Sequence, residues 1–351
     1  QAEDGIRDSV ASRGLGDVYK RQLFDDYGGN RSKTLKEHEM GIKDHMYWGH
    51  DMKFHGKDSK FPEHFLSGII NRQYERMNAE QKKKWDAAYG PKNTKLINSI
   101  ESGKMKGRDI TRWKYQRYIK DYLRCIKAVD ENVGRLLKYL DTSGLAENTI
   151  VIYSSDQGFY LGEHGWYDKR WMFEESLAMP FLIRWPGVIP KGSESKTLIQ
   201  NIDYAPTFLE LAGAKIPKNI HGRSLVTAFK EPSKAPQDWR KSIYYAYYGE
   251  RTHRVAKHDG IRTQKHKLIH FPETKEWNLF DLEKDPSEMT SVHSKPEYLN
   301  ILTSLKSTYK EKKKTFAVNT ATVPVPRCCL LYTSDAADEG LGVDLGGRRI
   351  I

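Results

Sequence analysis

Several features are missing from this 351-residue chain, and each absence excludes a class of protein. No stretch approaches eighteen consecutive apolar residues, and the mean hydropathy of −0.73 is well on the polar side, so no segment reads as a membrane-spanning helix. Cysteine is scarce. Cys125, Cys328 and Cys329 make neither a disulfide framework nor the CxxC spacing of a zinc site, and they leave the redox compartment open. No nucleic-acid motif and no internal repeat is present.

Positive charge is plentiful instead. Lys and Arg number 58 against 46 Asp and Glu, a formal net charge of +12 that favours anionic partners. Lysine runs such as Gln81 to Trp85 and Lys310 to Lys314 are ordinarily solvated helix faces and carry no site by themselves.

The two ends differ in texture from the body. Residues 1–22 lack hydrophobic periodicity, and their string RDSVASRGLGDVYKRQ resembles translated sequencing-adapter read-through. The stretch from Cys328 onward is equally unlike what precedes it. We read residues 1–22 as an artefactual tail and residues 317–351 as a linker and a second such tail. Both are expected to pack poorly against the body.

Within the body, residues 23–107 are polar and punctuated by Gly and Pro, with short helical stretches such as NAEQKKKWDAAYG, and read as an irregular, loop-rich segment over a core that it does not itself supply. From Arg112 to Leu140, apolar residues including Tyr118, Tyr122, Ile126, Val129, Val133 and Leu136 recur at steps of three and four, which predicts a helix with one buried face. Ile150 to Tyr153 is an unbroken apolar run, as in a central parallel strand covered on both faces. Another strand (Met179 to Gly187) and another helix (Asp203 to Gly213) follow. This alternation predicts the α/β class, part of a doubly wound sheet over residues 23–241. From Ser242 to Phe316, short strands separated by turns precede an amphipathic helix, which predicts a small C-terminal α+β subdomain with an antiparallel sheet.

Ligands of open α/β sheets gather beyond the carboxyl ends of strands, where Asp156 and Gln157 follow the apolar run. Both offer hard oxygen donors, suited to Ca²⁺ or Mg²⁺. Taken alone, SDQG is equally a plain turn with Gly158 at its end. Gly162 and Gly165 allow the chain to turn back, so that Lys169 can reach the same pocket and offer a compact charge to an anionic oxygen. A surface lysine is the alternative.

The stretch YSSDQGFYLGEHGWYDKRWMFEESLAMPFLIRWPGVI, with NIDYAPTFLELAG, HGRSL, GIRTQKHKLI and LFDLEKDPSE, resembles the carboxyl-terminal part of type I sulfatases. These belong to the alkaline phosphatase-like superfamily, and the resemblance is nearest to bacterial arylsulfatase A-like and N-acetylglucosamine-6-sulfatase-like enzymes. It covers Leu23 to Phe316. It implies hydrolysis of sulfate esters of sugars by a Ca²⁺-dependent enzyme, with a periplasmic or secreted location and a sulfated carbohydrate as partner. It further implies that Asp156 and Gln157 are metal ligands, that Lys169 is the catalytic lysine on the sulfate, and that His253 and His258 of THRVAKHDGIRT lie on the substrate side. His164 is expected to order its loop.

The family's nucleophile is a formylglycine made within a [CS]xPSR motif, and no such motif occurs in these 351 residues. The paired aspartates of FDDY, Phe24 to Tyr27, lack a preceding buried strand and are not taken as the family's metal pair. The chain is therefore expected to be the downstream part of a longer product and inactive as given. A phosphatase or phosphonate hydrolase of the same superfamily, or a non-catalytic polyanion binder, are the competing readings.

Overall fold

The structure, a computed structural model, describes residues 23–24, 32–54, 67–249 and 254–316. Both tails, the packing expected of them, and the aspartates of FDDY lie outside the described residues. In chain order the helices are α1 (Ile42–His45), α2 (Ser67–Arg76), α3 (Ala79–Glu101), α4 (Arg108–Thr142), α5 (Glu174–Leu177), α6 (Tyr204–Leu211), α7 (Val226–Lys230) and α8 (Leu299–Thr315). The strands are β1 (Val151–Ser154), β2 (Tyr160–Leu161), β3 (Tyr167–Asp168), β4 (Phe181–Arg184), β5 (Ser242–Tyr247), β6 (His258–Thr263), β7 (His266–Phe271) and β8 (Glu276–Asp281).

The mixed helix and sheet composition agrees with the α/β class expected, and β5-β6-β7-β8 form the antiparallel sheet expected of the C-terminal part. The pairing of β1 differs from expectation. Its partner is β4, antiparallel, in register Val151↔Arg184 to Ser154↔Phe181. After β1 the chain makes a β2-β3 hairpin and the short α5, then returns from the end where β1 finished, so β4 can only run back alongside it.

Two further expectations need correction. Residues 23–107 do supply core: Leu23, Ile42, Met46, Met52, Phe54 and Leu96 are buried with Tyr115 of α4. Their helical content is also larger than expected. At the start of α3 the Asn78 side chain accepts from the Gln81 N–H, and the Gln81 side chain accepts from the Asn78 N–H, both at 2.9 Å. This capping box satisfies two otherwise orphaned amides and starts a helix that continues through Pro91. The second correction concerns the apolar stripe of α4, which is covered only in part by described residues, with Tyr118 and Ile119 packed on this core and Leu140 buried. Ile126, Val129 and Leu136 are exposed, as are Tyr153 of β1 and its cross-strand neighbour Leu182, the latter at 66%.

The C-terminal sheet is fastened to α8 by Leu302, Leu305 and Tyr309 packed on Ile261, Leu268 and Leu279. A buried carboxylate sits at this junction. Asp259 accepts from the hydroxyls of Tyr244 at 2.9 Å and Tyr309 at 2.8 Å, from Lys313 Nζ at 2.6 Å, and lies 3.1 Å from His270 Nδ1. Burial alone would raise its pKa, but the bonds from His270, Lys313 and Tyr309 outweigh it and hold the carboxyl below the usual range. A depressed carboxyl stabilises the fold above the unfolded value near 4, and that contribution is lost as pH falls through the lower folded value. Asp259→Ala is expected to cost about 3 kcal/mol, the scale for removing one partner of a buried charged network. It should also reduce the loss of stability on the acid side, both effects being read by urea unfolding at stepped pH.

Candidate active site

The site is built from the segment that joins β1 to β4. Ser154 closes β1, its hydroxyl donating to the Pro180 carbonyl at 2.9 Å and lying 2.7 Å from the Tyr204 hydroxyl. The turn carrying Asp156 and Gln157 is then fixed by Gly158, whose N–H donates to the Ser176 carbonyl at 2.9 Å. Glycine is required there by close approach: a Cβ would stand 2.1 Å from the Glu175 carbonyl oxygen.

The β2-β3 hairpin carries the chain away and back. His164 at its tip is fully buried with φ +59°, and its Nε2 lies 3.3 Å from Glu175 Oε2. Burial favours the neutral acid at Glu175, but the His164 contact outweighs it and lowers the pKa. The loop is thus tied to α5 through this pair. Lys169 follows β3, and after it Trp171, Met172 and Phe173 are all fully buried. That apolar plug anchors the polar turn on its other side.

A cavity of about 1120 Å³ opens above these segments. Asp156, Gln157, Lys169 and Arg170 line it from one side, Tyr245 and Arg262 of the C-terminal sheet from another. Five cations reach its lining: Lys169, Arg170, Lys196, Arg262 and Lys265. Arg170 is paired with Asp168, Arg262 with Glu174 at 2.9 Å, and Lys265 with Glu283 at 3.1 Å. Among the described residues, the ammonium groups of Lys169 and Lys196 have no carboxylate partner; Lys196 is exposed, whereas Lys169 is half-buried.

Behind the cavity wall runs a buried charged cluster. Lys267, with no exposed surface, lies 2.8 Å from both Glu174 and Glu288. The Glu288 carboxylate also accepts from the Glu174 N–H at 2.7 Å, which caps α5. Burial opposes ionisation of Glu174, yet Lys267 and Arg262 together pull its pKa down to about 2. Glu288 shares the same lysine in a deeper position, and burial pushes it up to about 7.

The structure therefore brings three residues expected from the sequence, Asp156, Gln157 and Lys169, onto one cavity. His258 is placed differently. It is fully buried, its ring centroid 5.0 Å from that of Trp171 and 5.1 Å from that of Tyr247, and its Nδ1–H donates to the Ala256 carbonyl at 2.8 Å. Burial lowers its pKa to about 4, so it is a neutral histidine packed behind the wall and does not reach the substrate side. His253 lies outside the described residues. Arg170, Ser176, Tyr245 and Arg262 line the cavity without having been singled out in the sequence. Arg170 had a signal in its position beside Lys169, while Tyr245 was hidden in the run YYAYYG, which reads as strand core.

As a metal site the described residues are incomplete. The oxygens of Asp156 and Gln157 suit calcium in kind, but calcium usually takes six to eight oxygens. No group of three or more His, Cys, Asp or Glu that could hold a metal occurs among the described residues.

Comparison with known proteins places the chain in a family. The sequence model described as Sulfatase matches residues 38–214, and that described as N-sulphoglucosamine sulphohydrolase, C-terminal, matches residues 162–315. An N-acetylglucosamine-6-O-sulfatase of Bacteroides thetaiotaomicron is 43% identical over 302 residues, covering 85% of this chain and 52% of the relative. A solved structure, of a protein in complex with its substrate D-glucosamine-2-N,6-O-disulfate, superposes with a TM-score of 0.78 at 41% identity, over 86% of this chain and 60% of that one. A phosphonate monoester hydrolase of Silicibacter pomeroyi shares the fold at 23% identity, with a TM-score of 0.52 over 60% of this chain and 43% of that one. The chain spans about half the length of the curated relative it matches.

Proposed function

Because the chain belongs to the sulfatase family, we propose that its cavity receives the 6-O-sulfate of a glucosamine unit and forms one wall of a site that hydrolyses sulfate esters. The observation that carries this reading is the half-buried Lys169 ammonium, unpaired among the described residues, on the same cavity as Asp156 and Gln157. An anionic sulfate oxygen is the partner that such a charge lacks. The choice of sugar draws on the relative called N-acetylglucosamine-6-O-sulfatase and on the disulfated glucosamine bound by the superposed structure.

Lys169 would hold the sulfate and gain strength of contact as negative charge gathers on the departing group. Arg170 and Arg262, already neutralised by Asp168 and Glu174, would shape the wall and add little free charge. Asp156 and Gln157 would contribute two of the oxygens of a calcium site, a shell that the described residues do not complete, so no step is assigned to the metal. These 351 residues contain no [CS]xPSR motif, hence none of the family's formylglycine nucleophile. The chain by itself should bind and not turn over. A sulfated glycan is met outside the cytoplasm, in keeping with a periplasmic or secreted enzyme, and no described helix is long and apolar enough to cross a membrane.

The test is calorimetric titration of the chain with glucosamine 6-sulfate and with glucosamine, alongside ion chromatography for released sulfate. Binding that requires the sulfate, with no release above background, is expected. Equal binding of both sugars would remove the sulfate-site reading, and sulfate released by this chain alone would contradict the assignment of the nucleophile elsewhere.

A further inference from the structure

We infer that Tyr245 is a positioning residue for Lys169, holding from the C-terminal sheet the turn that presents the ammonium to the cavity. The inference rests on the reading of Lys169 given above.

Lys169 stands between two non-glycine residues in the left-handed region, Asp168 at φ +73° and Arg170 at φ +111°. Side chains beyond glycine adopt such backbone only at a cost, so the conformation persists where its surroundings over-determine it. Three contacts between described residues bear on Arg170. Its guanidinium pairs with Asp168, its N–H donates to Ser176 Oγ at 3.3 Å, and its carbonyl accepts from the Tyr245 hydroxyl at 3.0 Å.

These contacts differ in what they can resist. The Asp168 pair lies within the turn and moves with it. Ser176 is on α5, a few residues further along the same segment; its carbonyl also receives the Gly158 N–H, so it couples the Lys169 turn to the Asp156–Gln157 turn. Tyr245 comes from β5, separated from Arg170 by 75 positions in sequence. Its ring stacks on the buried His258 at 5.7 Å, and its own backbone is paired with Gly260 in the sheet. It therefore refers the turn to a frame that does not share the turn's backbone strain.

Tyr245 also lines the cavity, so direct contact with a sugar is the competing role, and the experiment has to separate the two. Tyr245→Phe, Lys169→Ala and the double variant are made in the 351-residue chain, with thermal melting to confirm that each is folded. Affinity for glucosamine 6-sulfate is measured by calorimetry, with glucosamine as the unsulfated control. If Tyr245 acts through Lys169, Tyr245→Phe weakens sulfate-dependent binding by about fivefold to tenfold, the effect of one lost hydrogen bond. The double variant then binds no more weakly than Lys169→Ala alone, because the clamp has nothing left to position. Ser176→Ala, which loosens the same residue from the other side, should shift affinity in the same direction. Unchanged affinity in Tyr245→Phe overturns the inference, as do losses that add in the double variant, which mark direct contact between the hydroxyl and the sugar. Unchanged affinity in Lys169→Ala overturns the reading of the site, and the inference with it, and that result is read from its own variant.

Discussion

Lys169→Ala should weaken binding of glucosamine 6-sulfate by about tenfold to a hundredfold, while leaving the melting temperature within about 1–2 °C of the parent chain. The magnitude follows from one hydrogen bond to a charged group, roughly 1.5–3 kcal/mol, with every 1.4 kcal/mol worth a factor of ten. The small stability effect follows from the environment: the ammonium has no carboxylate partner among the described residues, so nothing is left uncompensated on its removal. If Lys169 plays the proposed role, the same substitution in an enzyme form that also carries the nucleophile should lower turnover by about a hundredfold or more, the scale for losing a contact that strengthens during S–O cleavage. Isothermal calorimetry and a thermal melt check the first pair of numbers. Parental affinity in the variant would make Lys169 an ordinary surface lysine.

Gly158→Ala should be the most damaging single substitution near the site. The added Cβ would meet the Glu175 carbonyl oxygen at 2.1 Å and the Ser176 carbonyl carbon at 2.9 Å. Both obstacles are main chain, so no rotamer change relieves them. Either α5 or the Asp156–Gln157 turn has to move, and the bond from the Gly158 N–H to the Ser176 carbonyl at 2.9 Å goes with it. The expected cost is about 3 kcal/mol or more, the upper range for forced repacking. For a domain of this size that lowers the melting temperature by about 6–12 °C. Binding of the sulfated sugar should fall as well, since the same movement separates the two halves of the lining. A melting temperature within 1–2 °C of the parent would show that the packing at Gly158 is looser than described.

How far the sequence led can be judged from particular residues. The meeting of Asp156, Gln157 and Lys169 on one cavity was legible because each has a local signature: an apolar run that ends in hard oxygen donors, and a glycine-flanked return to a lysine. The helix stripe of α4 was legible as periodicity, but periodicity does not say what covers a face, and Ile126, Val129 and Leu136 stand exposed. The antiparallel pairing of β1 was not legible, because an unbroken apolar run looks the same in either pairing direction and strand order is set by the path between strands. The first half of α3 was legible as the helical stretch NAEQKKKWDAAYG, but its continuation was not, because Gly90 and Pro91 read as breakers, whereas the helix started by the Asn78–Gln81 capping box runs on through them.

His258 was misplaced for a different reason. Its neighbours in sequence are polar and charged, and only the three-dimensional packing of Trp171, Tyr245, Tyr247 and Phe271 around its ring shows it to be core. Tyr245 and Ser176 could not be found from sequence at all as partners of Arg170, since their hydroxyls bond to its main-chain carbonyl and N–H. Main-chain acceptors and donors leave no trace in residue identity.

On the proposed reading a sulfate ester is recognised at the Asp156–Lys169 end of the cavity and not by the general basic surface of a chain with net charge +12. The most direct measurement is amide chemical-shift mapping by NMR on isotope-labelled chain titrated with glucosamine 6-sulfate at physiological salt, where diffuse surface attraction is largely screened. Saturable shifts concentrated at Asp156, Gln157, Lys169, Arg170 and Tyr245, absent with glucosamine, are expected on that reading. Shifts confined to the lysine-rich faces of α3 and α8, and fading as salt is raised, would contradict it and leave a polyanion-binding surface in its place.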